Sequence, residues 1–170
     1  MPSLRKIFMA VLFISLCAVR FSHAEGESLF MMENPLIGEK APEFKSKNLQ
    51  GKEVNLIQLR EGKSTIAFFW ATWCPHCREQ LGKLAKAQED FAQKGIKVIL
   101  VDVGEEASQV KPFVAKNKIG FDVVLDENSE VAESYNIIGV PTFFFIDKDG
   151  TVRAVEHFLP EDYSKYFGNG

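Results

Sequence analysis

Cysteine is scarce in this chain, with three in 170 residues: Cys17, Cys74 and Cys77. So few thiols exclude a framework of structural disulfides. Positive charge is not in excess either, because 20 lysines and arginines face 23 acids and leave a net charge of −3. With no polybasic run, neither nucleic acid nor an anionic membrane surface is an expected partner. No apolar stretch reaches the roughly 20 residues that a membrane-spanning helix needs. No internal repeat and no low-complexity linker interrupts the chain after Ile37, so a single domain is expected, with an apolar content of 46% to fill its core.

The first 24 residues stand apart from that domain. Arg5 and Lys6 precede an apolar run from Ile7 to Val19, and Ser22-His23-Ala24 ends in the small-x-small pattern of a signal-peptidase site. Cleavage after Ala24 is expected; the alternative is an uncleaved segment that anchors the protein to a membrane. A lipoprotein would use Cys17, but Leu16 is too large for the usual attachment motif. Cleavage removes Arg5, Lys6 and Arg20 with no acid, so the net charge moves from −3 to −6. It also removes Cys17. An exported protein left with Cys74 and Cys77 alone is using its thiols for chemistry rather than as a staple. Residues 25–36 form a polar, flexible lead-in, and residues 37–170 form the domain.

From there the pattern alternates. Asn48 to Lys52 predicts a tight turn between two short strands. Ser64 to Trp70 is an almost unbroken apolar run, suited to a central strand covered on both faces. Leu81, Leu84, Ala85, Gln88, Phe91 and Ala92 recur at helical spacing, and Lys94-Gly95 supplies the stop. Lys97 to Asp102 is a second buried strand. Val110, Phe113 and Val114 mark a helix in which Pro112 is tolerable only near the first turn. Phe121 to Leu125 is a strand, and Val131 with Tyr135 marks a short helix capped by Asn128 or Ser129. Thr142 to Ile146 and Thr151 to His157 form a hairpin about Asp147-Lys148-Asp149-Gly150, and a short helix follows from Pro160 to Phe167. The alternation predicts an α/β fold with a mixed sheet.

The chemistry concentrates where the first central strand ends, in Phe69-Trp70-Ala71-Thr72-Trp73-Cys74-Pro75-His76-Cys77. Two thiols at this spacing can close an intramolecular disulfide, and a helix N-terminus stabilises the attacking thiolate. Pro75 suits the first helical position, where an N–H would lack a partner. Thiol–disulfide exchange is the chemistry this suggests.

With Gly38-Glu39-Lys40-Ala41-Pro42-Glu43-Phe44 upstream, and Gly139-Val140-Pro141-Thr142 and Ile146-Asp147-Lys148-Asp149-Gly150 downstream, the chain resembles the thioredoxin superfamily. Within it, the resemblance is to TlpA/ResA-type exported thiol–disulfide oxidoreductases, from about Ile37 to His157. It implies a thioredoxin-like fold whose central mixed sheet is flanked by helices. An N-terminal hairpin and a strand-helix insert, from Gly104 to Tyr135, would complete it. Cys74, nearer solvent, would attack, and Cys77, one turn in, would resolve the mixed disulfide. Trp73 would pack beside the disulfide, or else be a core aromatic at the end of a strand. Pro141 resembles the family's cis-proline, beside which Val140 would bind a substrate strand. His76 would favour the Cys74 thiolate through its charge, as the Pro-His pair of DsbA does, while His157 is read as structural.

Two departures from the family stand out. Phe68 replaces the buried acid that thioredoxin carries six residues before its first cysteine, and Gln80 replaces the glutamate that ResA-type proteins carry three residues after the second. Glu79 is rotated by about 100° from that position and is no substitute. These changes leave open which group takes the proton from Cys77. No cofactor is implied. The expected partners are protein disulfides or dithiols, with a membrane thiol reductase as electron donor and a monomer as the working unit.

A reductase is favoured over a DsbA-like oxidase or isomerase. A peroxiredoxin would need Pro-x-x-x-Thr-x-x-Cys, whereas Thr72 lies two residues before Cys74. A copper carrier would use Cys74 and Cys77 with His76 or His157, but copper-handling relatives space their cysteines one residue further apart. Export is directly testable. N-terminal sequencing of protein from its native host is expected to begin at Glu25, and an intact Met1 in the cytosolic fraction would contradict it.

Overall fold

The run Ser64–Trp70 (β3) is buried at all of its positions in the computed structural model, which describes residues 33–168. The predicted signal segment and most of the lead-in lie outside the described residues. β3 precedes Pro75–Lys86 (α2), Gln88–Gln93 (α3), Ile96–Val103 (β4), Ala107–Lys116 (α4), Asp122–Asp126 (β5) and Glu130–Ser134 (α5). Before it come Lys45–Asn48 (β1), Glu53–Asn55 (β2) and Leu56–Arg60 (α1); after α5 come Thr142–Ile146 (β6) and Val152–Glu156 (β7). The seven strands make one sheet in the order β2-β1-β5-β4-β3-β6-β7. β4 pairs in parallel with β3 and β5, and the other pairings are antiparallel. This is the thioredoxin-like mixed sheet that the sequence predicts.

Strand alternation divides the core in two. Ile66, Phe68 and Trp70 point to the side held by Cys77, Leu81 and Leu84 of α2, with Phe91 and Val110. Ala67 and Phe69 point to the other side, against Leu56, Val131, Ala132 and Tyr135. Phe68, the position without an acid, stacks on Phe143 of β6 with ring centroids 4.2 Å apart. At that position the side facing the cysteines thus carries an aromatic ring rather than a carboxyl.

Several local expectations differ from the structure. The helix after Cys77 is two helices, because the Ala87 N–H tightens onto both Lys83 and Leu84 carbonyls and ends α2. Pro112 sits in the interior of α4 rather than its first turn: a capping box of Glu106 and Gln109 starts that helix earlier than the apolar pattern suggests. α5 is not capped by a side chain of Ser129. The buried Asp126 does that work, accepting from the N–H groups of Val131 at 3.0 Å and Ala132 at 2.8 Å. The final helix is a 3₁₀ segment confined to Tyr163–Phe167.

Phe143→Ala is expected to lower unfolding free energy by about 3–5 kcal/mol, since it opens a cavity between two buried rings. Ile57→Ser, at a position 66% exposed, should stay within about 0.5 kcal/mol. Urea unfolding at neutral pH checks both, and equal effects would contradict this placement of the core.

Candidate functional site

β3 ends at Trp70, and the chain turns through Ala71, Thr72 and Trp73 before α2 begins. Cys74 is the N-cap residue of α2, with extended backbone, and Pro75 occupies the first helical position. The Cys74 Sγ accepts from the backbone N–H of Cys77 at 3.2 Å. A helix N-terminus has N–H groups with no intrahelical partner, and one of them here meets a sulfur. That contact and the helix dipole both favour negative charge on the Cys74 sulfur.

The two cysteines are thiols in this structure. Cys74 keeps 4% of its surface exposed and Cys77 none. Burial pushes the Cys77 thiol well above the ordinary thiol range, and the side-chain interaction of that thiol with Cys74 pushes it further. The Cys77 thiol thus resists ionisation. His76 is exposed at the second position of α2.

Across from Cys74 lies the segment before β6. The Val140–Pro141 peptide bond is cis, and the Val140 carbonyl faces the Cys74 Sγ at 3.8 Å. Thr142 Oγ1 donates to the Gly139 carbonyl at 2.7 Å, fastening this loop. His157, read from sequence as structural, follows β7 and reaches this loop, with its Nδ1 3.0 Å from the Pro141 carbonyl and 3.3 Å from Thr142 Oγ1.

Trp73 is not a core aromatic, for it is 66% exposed. It helps to line an open groove of about 270 Å³ with Val103, Ile137, Ile138 and Val140. Ile138, at 95% exposure, is the most exposed large apolar side chain there. A larger recess of about 470 Å³ lies between Phe44 and Ile57, far from these residues in sequence and lined by no cysteine or histidine.

Other residues at the site carry no sequence motif. Glu105, just after β4 and 4% exposed, accepts from Thr72 twice, from its N–H at 2.5 Å and its hydroxyl at 2.6 Å. Asp102, fully buried near the end of β4, lies opposite Trp70 in the ladder. An acid inside the apolar run Ile96–Val103 was the one available signal. Gln80 is buried and its Oε1 accepts from the Leu159 N–H at 2.9 Å, tying α2 to the segment after β7. Glu79 is exposed and paired with Lys83. Among the described residues, no group of three or more His, Cys, Asp or Glu side chains is placed to hold a metal ion.

This arrangement suits thiol–disulfide exchange: one sulfur at a helix N-terminus, a second buried thiol one turn on, and an apolar groove beside them. Comparison with known proteins agrees. The chain is 34% identical over 150 residues to the thiol-disulfide oxidoreductase ResA of Bacillus thuringiensis, covering 87% of this chain and 85% of that protein. The corresponding protein of Bacillus subtilis is 29% identical, with coverage of 91% and 87%. A putative thiol:disulfide interchange protein DsbE from Chlorobium tepidum superposes with a TM-score of 0.68 at 29% identity, covering 76% of this chain and 91% of that one. The AhpC/TSA family matches residues 37–155, most of the domain that holds Cys74, Cys77 and Pro141, and the chain belongs to that family, as a thiol–disulfide oxidoreductase of the thioredoxin fold.

Proposed function

We propose that this protein is exported and that it reduces disulfides in other proteins through Cys74 and Cys77, with Cys74 as nucleophile. The observation that carries the reading is the hydrogen bond from the Cys77 N–H to the Cys74 Sγ at the open end of α2. In the first step the Cys74 thiolate attacks one sulfur of a substrate disulfide. That S–S bond breaks, its electron pair leaves on the other substrate sulfur, and a mixed disulfide remains on Cys74. Cys77 then loses its proton and attacks Cys74, and the second substrate sulfur departs as a thiolate. The substrate gains two electrons and two protons, and the protein keeps a Cys74–Cys77 disulfide.

The groove supports a polypeptide substrate. Trp73, Ile138 and Val140 offer apolar surface beside the sulfur, and the rim is open enough for an extended segment. Regeneration requires a dithiol donor, and for an exported protein a membrane thiol reductase is the source we propose. The protein would act as a monomer. The Arg5-Lys6 start, the apolar run and Ser22-His23-Ala24 support export, and a chain left with Cys74 and Cys77 alone fits it.

The nearby charges pull the redox poise in opposite directions. His76 at the helix start favours the thiolate, and so stabilises the reduced form. The sequence places no acid at Phe68 or Gln80, yet Glu105 brings a carboxylate to Thr72, two residues before Cys74. That charge opposes the thiolate. The helix terminus meets the sulfur itself through the Cys77 N–H, so the reduction potential is expected between about −270 mV and about −120 mV. A glutathione titration at or below the lower value would defeat the role of His76.

Trapping tests the division of labour. Cys77→Ala should accumulate mixed disulfides with substrate proteins, and Cys74→Ala should accumulate none. Non-reducing gels of both variants expressed in the native host decide it, and the opposite pattern would show the roles exchanged.

A further inference from the structure

Asp102 is the one charged residue that β4 carries into the core that holds the cysteines. It is fully buried, and register fixes its place: Trp70 of β3 lies on one side of it and Leu125 of β5 on the other. Val98 and Leu100 of the same strand belong to the core that contains Cys74 and Cys77, so alternation turns Asp102 to that side. Neither of its oxygens meets a hydrogen-bond donor, and the buried indole N–H of Trp70 is also without a partner. An ionised carboxylate in such surroundings is heavily penalised.

Glu105, itself buried and three residues further along the chain, is the acid that bears most on Asp102. Two carboxylates repel, but a carboxylic acid and a carboxylate make a strong bond. Burial first, then the charge of Glu105, push Asp102 up to about 8, and Asp126 at the end of β5 adds a further negative charge. No lysine or arginine takes part in that balance. The helix α4 covers this side with Ala107, Val110 and Phe113, and α2 contributes the thiols. Both oxygens of Glu105 are meanwhile engaged by Thr72. A proton on Asp102 therefore lets it donate to Glu105 while Glu105 stays an acceptor for the loop.

We propose that Asp102 and Glu105 share one proton at neutral pH, and that this acid pair is the positioning element of the Cys74 loop. Asp102 donates to Glu105, and Glu105, held in place, clamps Thr72 two residues ahead of Cys74. When Asp102 loses the proton the pair repels and the clamp loosens. The same proton is linked to stability. The folded state holds it to about pH 8, whereas the ordinary carboxyl releases it near 3.8. The contribution is complete below the lower value and is lost as pH rises through the upper one. The kinetic consequence rests on the thiol–disulfide reading above; the shared proton itself does not.

Infrared titration of the folded protein reads the proton directly. A protonated carboxyl stretch should be present at pH 7, disappear with a midpoint near 8, and be missing from Asp102→Asn. Its absence from the wild type at pH 7 would overturn the proposal, whether or not the variant folds. Stopped-flow mixing of reduced protein with an excess of an aromatic disulfide, from about pH 6 to about pH 9, reads the clamp. The wild-type rate should rise with the thiolate and then fall by about three-fold above pH 8. Asp102→Asn, whose amide can still donate to Glu105, should lose that fall, and Asp102→Ala should be slower than Asp102→Asn at every pH. Identical profiles for wild type and Asp102→Asn above pH 8 would overturn the positioning role. If no variant or wild type reduces the disulfide at all, the functional reading fails, while the infrared band still decides the acid pair.

Discussion

A helix must begin with N–H groups that no earlier turn can satisfy, and here the Cys77 N–H is given to the sulfur of Cys74. Much of the molecule serves that contact. β3, buried along its whole length and paired on both sides, is too constrained to shift, so its end at Trp70 fixes where the following turn starts. Pro75, at the first helical position, then holds its own φ at a helical value. The result is a sulfur met by a backbone N–H rather than by a mobile side chain.

The second thiol follows from the same helix by a different physical route. One turn into α2, Cys77 faces the core with Leu81 and Leu84, and burial there opposes ionisation. One scaffold thus places one sulfur at a helix start and keeps the other a buried thiol, as the proposed division of labour requires. Glu105 reaches the loop ahead of Cys74 from the end of β4, through its two hydrogen bonds with Thr72.

The parts of this arrangement that are local in the chain were legible in the sequence. Cys74, Pro75 and Cys77 could be placed at a helix start because their spacing and the proline specify it, and the apolar run before them specified a buried central strand. The mixed sheet followed from the alternation of patterns. What could not be read depends on register or on surface. Glu105 is brought to Thr72 only because β4 lies beside β3, with Asp102 opposite Trp70. Asp126 caps α5 from across a turn, where a local reading favours Asn128 or Ser129. Trp73 continues an aromatic run yet faces the groove, since apolarity alone does not distinguish a core contact from a binding one. His157 is far from Pro141 in sequence and touches it through the β6–β7 hairpin.

The unequal reactivity of the two sulfurs is the claim on which the account turns, and alkylation of the reduced, native protein tests it most directly. Brief exposure to a neutral haloacetamide at neutral pH, followed by peptide mapping, should find the label on Cys74, with Cys77 modified only after unfolding. Label on Cys77 in the native protein, with Cys74 spared, would contradict the account.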